Sequence, residues 1–314
     1  MDYLTPSVLF PDLRLASYII TLEPRQEWPY SENRGSVWRG AIGNSLMDLF
    51  CPWSRPECRR CRSQKSCPYY FLFEFGSEQK GLSELPRPYI FYSHPSTWPL
   101  VQVGMTLIGC ADELIPQLAA SWARAGERGV GQGRHQFNLV HIDRIKPDGE
   151  HENMSLADIN AGLVIKSYPL ADFISPEHPK WPLRIIFKTP LRIQSNGRIV
   201  TDLDWGYLFK TLAIRLSCLN QYYCDGERIS EDLWDQLLII FQSPNQSILR
   251  LEWQDEHRYS NRQKKSVPHG GLVGDGFFWP EQHHWIWWHW WQTAALFHLG
   301  KGTGMGLGQV VFTE

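Results

Sequence analysis

The sequence predicts an α+β fold built from two tandem modules, and three observations support this. The chain of 314 residues is long enough for two domains, and 43% of its residues are apolar. Both halves show strand-like and helix-like periods in the order β-α-β-β-α-β, which is the ferredoxin-like arrangement. A proline-rich stretch separates the halves. We therefore expect a first domain over residues 1–166, a linker over 167–182 and a second domain over 183–314.

The second half shows the pattern more clearly. Residues 183–193 are rich in Ile, Leu and Phe and predict a strand. Asp204 is a good N-cap, and Leu208, Leu212 and Leu216 then recur at helical spacing. The remaining elements are, in order, the strand ILRLEW, the strand GGLVGDGFFW, the helix WIWWHWWQTAALFHL and the strand GQVVF. The five tryptophans of that helix point in all directions, so we expect most of them to be buried by packing rather than to stack on bases.

The first half supports the same order less cleanly. Its expected elements are the strand ASYIITLE, the helix GSVWRGAIGNSLMDLF, the strand LVQVGMTLIG, the helix DELIPQLAASWARAG and the strand QFNLVHI. Gly126 is expected to end the second helix, and a glycine-rich turn, RGVGQG, precedes the last strand. Because both halves close with a helix, a glycine-rich segment and a strand, the sequence suggests a duplicated module.

The charge and the composition of the chain limit the classes of function that it can have. The net charge is −2, so a nucleic-acid partner would have to be bound by local patches. Residues 282–300 contain no charged side chain, but four histidines make them a poor membrane span. The first ten residues lack a basic region before an apolar core, so we expect no signal peptide. These features, with an odd number of cysteines, predict a protein of the reducing cytoplasm with no membrane partner.

Four cysteines are crowded into one short segment of the first half. Cys51, Cys58, Cys61 and Cys67 have the spacing C-x6-C-x2-C-x5-C. The central C-x2-C can place two thiolates on one metal ion, and the other two complete a four-sulfur shell. We expect a closed, structural zinc site in a knuckle inserted at about residues 51–67, with an iron–sulfur cluster as the alternative. A metal-dependent enzyme is disfavoured, since four thiolates leave no open coordination position.

The chain ends with glycine at every second position before the last strand. These residues are Gly300, Gly302, Gly304, Gly306 and Gly308. Dinucleotide-binding and P-loop motifs need glycines that follow a strand and open a helix, whereas these follow a helix and open a strand. Two readings stay open. A tight connection with positive φ would need one such glycine, whereas five would let a phosphate approach exposed N–H groups.

Several stretches together resemble a known family. GKGTGMGLGQ resembles the C-terminal glycine-rich loop of the CRISPR-associated RAMP endoribonucleases, which cut repeat RNA into guide units. DEHRYSNRQ, HGGLVGDGFFW, NRGSVWRGAIG and GVGQGRHQFNLVHI are similar to other segments of that family, in the same order. The resemblance implies two ferredoxin-like domains related to RNA-recognition folds. It also implies cleavage without metal, by attack of a ribose 2′-hydroxyl on its own phosphate, leaving a 2′,3′-cyclic phosphate and a 5′-hydroxyl. The partner would be CRISPR repeat RNA.

Proton transfer in that reaction needs a base and an acid, and histidine suits both roles. Many relatives place a histidine near the first helix, but this chain has none before His94. The candidates are therefore His269 and His257, which bracket a basic stretch, and Tyr30 near the first helix. The candidate RNA-binding residues are cationic, aromatic or glycine residues, namely Arg39, Arg134, His135, Arg258, Tyr259, Arg262, Lys264, Lys265, Lys301 and the five terminal glycines.

The missing early histidine also supports a rival function. The chain could be a catalytically inactive RAMP subunit that binds RNA beside other subunits of a CRISPR effector complex. The two-half architecture and the terminal loop favour the enzyme.

Overall fold

The computed structural model describes residues 2–27, 35–53, 57–76, 85–131, 133–160, 167–177, 179–195, 198–201, 203–243, 245–260 and 265–313. Its α-helices are α1 (Pro6–Leu9), α2 (Gly35–Phe50), α3 (Ile115–Arg128), α4 (Leu156–Asn160), α5 (Trp205–Tyr223), α6 (Glu231–Phe241) and α7 (His284–Phe297). Its strands are β1 (Arg14–Pro24), β2 (Tyr89–Ser93), β3 (Val101–Ile108), β4 (Phe137–Ile145), β5 (His151–Met154), β6 (Tyr168–Pro169), β7 (Leu183–Leu191), β8 (Ile193–Ser195), β9 (Arg198–Val200), β10 (Asn245–Gln254), β11 (His257–Ser260), β12 (Lys265–Pro268), β13 (Gly271–Pro280) and β14 (Val310–Thr313).

The chain forms two compact units. The N-terminal unit comprises Arg14–Pro169 and Tyr222–Asp225. The C-terminal unit comprises Leu170–Gln221, Gly226–Glu314 and the segment ending at Leu13. No helix in the described part of the chain is long and apolar enough to cross a membrane.

The N-terminal unit has the β-α-β-β-α-β order, in which β2 is a strand that the sequence pattern did not reveal. Its antiparallel sheet runs β2-β3-β1-β4-β5, and β6 also pairs with β1. Helix α2 buries Trp38 and α3 buries Trp122, whose rings lie 5.3 Å apart, in the same core as Tyr18 and Ile20 of β1. The apolar run of β1 and the helical spacing in α2 and α3 therefore converge on one core.

The C-terminal unit repeats this arrangement. Its four-stranded antiparallel sheet runs β10-β13-β7-β14, with the last strand of the module next to the first, as in the N-terminal unit. Asp204 caps α5, because its carboxylate accepts the Tyr207 N–H at 3.0 Å. Helix α7 buries Trp287, Trp288, Trp290 and Trp291, so the prediction that these rings pack in the interior is confirmed.

The structure differs from the sequence expectations at several boundaries. The segment up to Leu13 belongs to the C-terminal unit, where the Trp290 indole donates to the Leu4 carbonyl at 3.1 Å. The stretch expected to be a linker is divided between the units, because β6 pairs with β1 and Leu170 N–H donates to Leu13. Helix α3 continues past Gly126, where a Cβ would lie 2.2 Å from the Phe137 oxygen. Close approach to β4, not helix termination, therefore requires that glycine.

Candidate nucleic-acid interface

In the glycine-rich segment between α7 and β14, four of the five glycines adopt the left-handed backbone conformation. The φ angles are 72° at Gly300, 85° at Gly302, 80° at Gly306 and 68° at Gly308. A Cβ at Gly308 would lie 1.8 Å from the Leu299 oxygen. The assumption that one such glycine would satisfy a tight connection is therefore wrong, since backbone geometry alone requires four.

The segment is anchored to the end of β7. Thr189 donates its hydroxyl to the Gly306 carbonyl at 2.7 Å and accepts the Gln309 N–H at 2.9 Å. The Gly308 N–H donates to the Pro190 carbonyl at 3.1 Å. These bonds fix the loop against the strand, so its free groups have defined positions.

Arg192 joins the glycine segment to the basic hairpin. Its carbonyl accepts the Lys301 N–H at 2.8 Å, while its guanidinium donates to the carbonyls of Pro268, at 2.9 Å, and Gly270, at 3.4 Å. The Lys301 ammonium also donates to Gln194. Sequence reasoning missed Arg192, because it follows β7 immediately and lies outside any recognisable motif. We call the surface formed by residues 189–194, 256–260, 265–270 and 300–308 the loop surface.

The loop surface presents unpaired main-chain donors. Thr303–Met305 forms a single 3-10 turn preceded by Gly302. Within the part of the chain that the structure describes, the N–H groups of Gly302, Thr303 and Gly304 donate to no protein acceptor. Gly302 and Gly304 are half-buried and Lys301 is exposed. Successive free N–H groups beside an ammonium attract an anion such as a phosphate.

The basic stretch forms a two-stranded hairpin. Strands β11 and β12 pair antiparallel, with His257 opposite Pro268 and Ser260 opposite Lys265. The structure describes the main chain, but not the side chains, of Arg258, Tyr259 and Lys265. Arg262 and Lys264 lie outside the described residues, as does Tyr30 in the other unit.

The two candidate histidines of the hairpin differ in access to solvent. His257 is exposed on β11, whereas His269 is only 5% exposed. The main-chain N–H of His269 donates to the Glu256 carbonyl at 2.7 Å. A proton-transfer group must come within hydrogen-bonding distance of the reacting atom. The sequence alone ranks His269 first, but exposure favours His257 as the proton-transfer group.

The half-buried Arg215 and the buried His298 hold the base of the glycine segment. Arg215 of α5 donates to the carbonyls of Phe297 and His298, at the end of α7. The His298 Nδ1 lies 3.2 Å from the Leu307 carbonyl oxygen. Burial lowers the pKa of Arg215 to about 9. Burial, followed by the charge of Arg215, lowers the pKa of His298 to about 3. His298 is therefore a neutral positioning residue near pH 7, inaccessible to substrate.

The lowered pKa of His298 predicts that the folded protein loses stability in acid. The unfolded chain binds a proton on residue 298 below about pH 6.5, whereas the folded chain resists it down to about pH 3. Stability should fall with decreasing pH across that window, at up to roughly 1.4 kcal/mol per pH unit. His298→Asn, which tolerates the φ of 60° at this position, should abolish that contribution.

Denaturant unfolding of both proteins from pH 7 to pH 4 measures the difference. Burial raises the pKa of Asp112 to about 6, so this carboxyl makes the folded chain more stable as the pH falls towards 4. Both proteins contain Asp112, so its contribution cancels in the comparison. Parallel pH profiles for the wild type and His298→Asn would contradict the assignment.

The candidate residues of the N-terminal unit are distributed over two places. Arg39 of α2 donates to the Tyr89 hydroxyl at 3.1 Å and lies over the Phe73 ring at 5.3 Å. Arg134, exposed with φ of 49°, and half-buried His135 lie in the glycine-rich turn before β4. Arg39 therefore has an evident packing role, whereas Arg134 has none within its described contacts.

The cysteine segment follows α2. Cys51, Cys58, Cys61 and Cys67 are half-buried and none is in a disulfide. Among the described residues, no three His, Cys, Asp or Glu side chains are arranged to hold a metal ion. The expected zinc shell is therefore not preformed in the structure.

Comparison with known proteins places the chain in a family. A model described as an N-terminal domain matches residues 13–163, and the model of the CRISPR-associated endoribonuclease Cas6 matches residues 185–310. An uncharacterized protein of Archaeoglobus fulgidus is 32% identical over 230 residues, which cover 68% of this chain and 75% of that protein.

Solved structures share the fold. A Thermus thermophilus Cas6 has a TM-score of 0.55 at 11% identity, covering 96% of this chain and 99% of that one. A Cas6 product complex has a TM-score of 0.56 at 14% identity, with the same coverage. With the order of elements and the glycine segment described above, the family model and the 32%-identical relative assign the chain to the CRISPR-associated endoribonuclease family Cas6.

Proposed function

We propose that this chain binds CRISPR repeat RNA on the loop surface and cleaves the precursor without a catalytic metal ion. The family supports RNA cleavage, and the loop surface supports the binding mode. The observation that carries the proposal is the row of free N–H groups at Gly302, Thr303 and Gly304, beside Lys301 and next to the hairpin that Arg192 holds. The reaction takes place in the cytoplasm, where repeat transcripts are made.

The reaction is an internal transfer at one phosphate. The ribose 2′-oxygen attacks the adjacent phosphorus and loses its proton to a base, while the bond from phosphorus to the 5′-oxygen breaks. An acid protonates the leaving 5′-oxygen, so the products carry a 2′,3′-cyclic phosphate and a 5′-hydroxyl. No water, oxidant or reductant is consumed.

The protein has two tasks in this reaction. Main-chain N–H groups and the Lys301 ammonium stabilise charge that develops on the phosphate. A side chain near neutral pKa transfers the protons. We propose His257 for one proton transfer because it is an exposed residue of the loop surface, with His269 and Tyr30 as the other candidates.

A test of this function uses the purified chain and its neighbouring repeat RNA in excess EDTA. We expect the unmodified RNA to be cut, and a copy with a single 2′-deoxyribose at the cut to be bound with unchanged affinity but left intact. Removing the nucleophile leaves no internal route, so the rate should fall below detection. Analysis of the ends should find a cyclic phosphate and a 5′-hydroxyl.

The outcomes distinguish the candidate functions. Cleavage of the deoxy copy, or loss of cleavage in EDTA, would contradict the mechanism. Binding of both copies without cleavage would favour the inactive effector subunit that the missing early histidine suggests. His257→Ala should slow single-turnover cleavage by roughly 10²–10⁴ with unchanged affinity, and His269→Ala by less.

A further inference from the structure

The segment between α2 and the π-helical turn Tyr70–Glu74 is ordered without a core of its own. None of the described residues among 51–53 and 57–67 is buried. A segment this small has too little apolar surface to fix its conformation, and such segments are commonly held by disulfides or a metal ion. Something besides hydrophobic packing must therefore hold this segment.

Its main chain already has the turns of a metal knuckle. Two 3-10 turns, Cys58–Arg60 and Gln64–Ser66, each precede a cysteine. The N–H of Cys61 donates to the Cys58 carbonyl, and the N–H of Cys67 to the Gln64 carbonyl, both at 3.3 Å. The Gln64 side chain donates to the Cys58 carbonyl at 2.6 Å, which joins the turns. These hydrogen bonds therefore hold Cys58, Cys61 and Cys67 in one short run of joined turns.

A main-chain group already contacts one of the thiols. The Tyr70 N–H donates to the Cys67 sulfur at 3.4 Å, a bond that also stabilises a thiolate. In the described structure the four thiols do not enclose a common point. Cys51 instead donates to the Trp53 carbonyl at 3.6 Å.

We propose that Cys51, Cys58, Cys61 and Cys67 bind one structural zinc ion as thiolates. Rotation of the thiol groups, with the turns retained, would close the shell, and each thiol would lose its proton to solvent on binding. A shell of four sulfurs is closed, so the ion holds the knuckle and takes no part in cleavage. The proposal is independent of the RNA function. The ion would hold the backbone that carries three exposed cationic residues, Arg60, Arg62 and Lys65.

The metal content of the full-length chain, purified without chelator under reducing conditions, tests the proposal. We expect about one zinc ion per chain, loss of nearly all of it in the double variant Cys58→Ser with Cys61→Ser, and full retention in Cys110→Ser. Cys110 is the matched control because it is also a half-buried free cysteine, outside the knuckle. Replacing zinc by Co²⁺ should give the absorption of a tetrahedral thiolate site in the wild type and the control alone.

A second readout does not depend on recovering the double variant. Arg60, Arg62 and Lys65 are exposed trypsin sites. Cleavage there should be slow in the zinc-loaded wild type and fast after chelation. A chain without zinc that also fails to take up Co²⁺ would overturn the proposal, as would equal trypsin cleavage with and without zinc. Iron with acid-labile sulfide, or disulfides among these four cysteines, would overturn the zinc assignment.

Discussion

Gly308→Ala is expected to weaken RNA binding and to destabilise the C-terminal unit. The new Cβ would lie 1.8 Å from the Leu299 oxygen, on a residue with φ of 68°. The left-handed conformation alone costs roughly 1–2 kcal/mol, and a clash with main chain cannot be relieved by rotating a side chain. We expect a loss of roughly 2–4 kcal/mol in the free energy of unfolding. Displacing the loop should also weaken binding of repeat RNA about tenfold for each charge-assisted bond lost.

Denaturant unfolding and an RNA-binding titration measure both effects. Gly40→Ala is the matched control, because a Cβ at Gly40 of α2 meets nothing within 4 Å. It should gain up to roughly 1 kcal/mol from helix propensity and bind RNA normally. Binding is compared at a temperature where circular dichroism shows both variants folded. A folded Gly308→Ala protein with wild-type affinity would contradict the role of the loop surface.

Trp287→Ala should destabilise the C-terminal unit more than any surface change. The Trp287 ring is fully buried, with its centroid 5.1 Å from that of Phe209, 5.8 Å from Phe241 and 5.2 Å from Phe278. Truncating a buried tryptophan removes apolar contacts and leaves a cavity, which costs roughly 3–5 kcal/mol. Urea unfolding followed by far-ultraviolet circular dichroism measures the loss.

Trp285→Ala provides the comparison within the same helix. Trp285 is half-buried at the start of α7, and its ring lies 4.2 Å from that of His289. We expect a loss of about 1 kcal/mol or less there. Equal losses for the two variants would show that the aromatic cluster does not hold the unit together.

Most of the fold could be predicted from sequence because its signals are local. The spacing of Trp38, Ile42 and Leu46 predicts α2, and the carboxylate of Asp204 fixes the start of α5. The unit boundaries could not be predicted, because they depend on pairing between distant residues. The bond from the Trp290 indole to the Leu4 carbonyl has no periodic signal in the sequence.

The candidate site was predictable only in part, for a similar reason. The glycine spacing marks the loop, but the number of left-handed positions follows from how the loop packs on Thr189 and Pro190. Arg192 and Arg215 act through main-chain carbonyls of distant segments, which no motif records. Burial, which ranks His257 above His269, is likewise a property of the folded chain.

Photo-crosslinking of repeat RNA, made uncleavable by a 2′-deoxyribose at the cut and carrying 4-thiouridine, tests the loop surface most directly. We expect mass spectrometry to find crosslinks on peptides spanning residues 257–270 and 298–309, and those on the second peptide to decline in Gly308→Ala. Crosslinks that all lie elsewhere, for example on the exposed face of α6 around Ile239, would contradict the assignment.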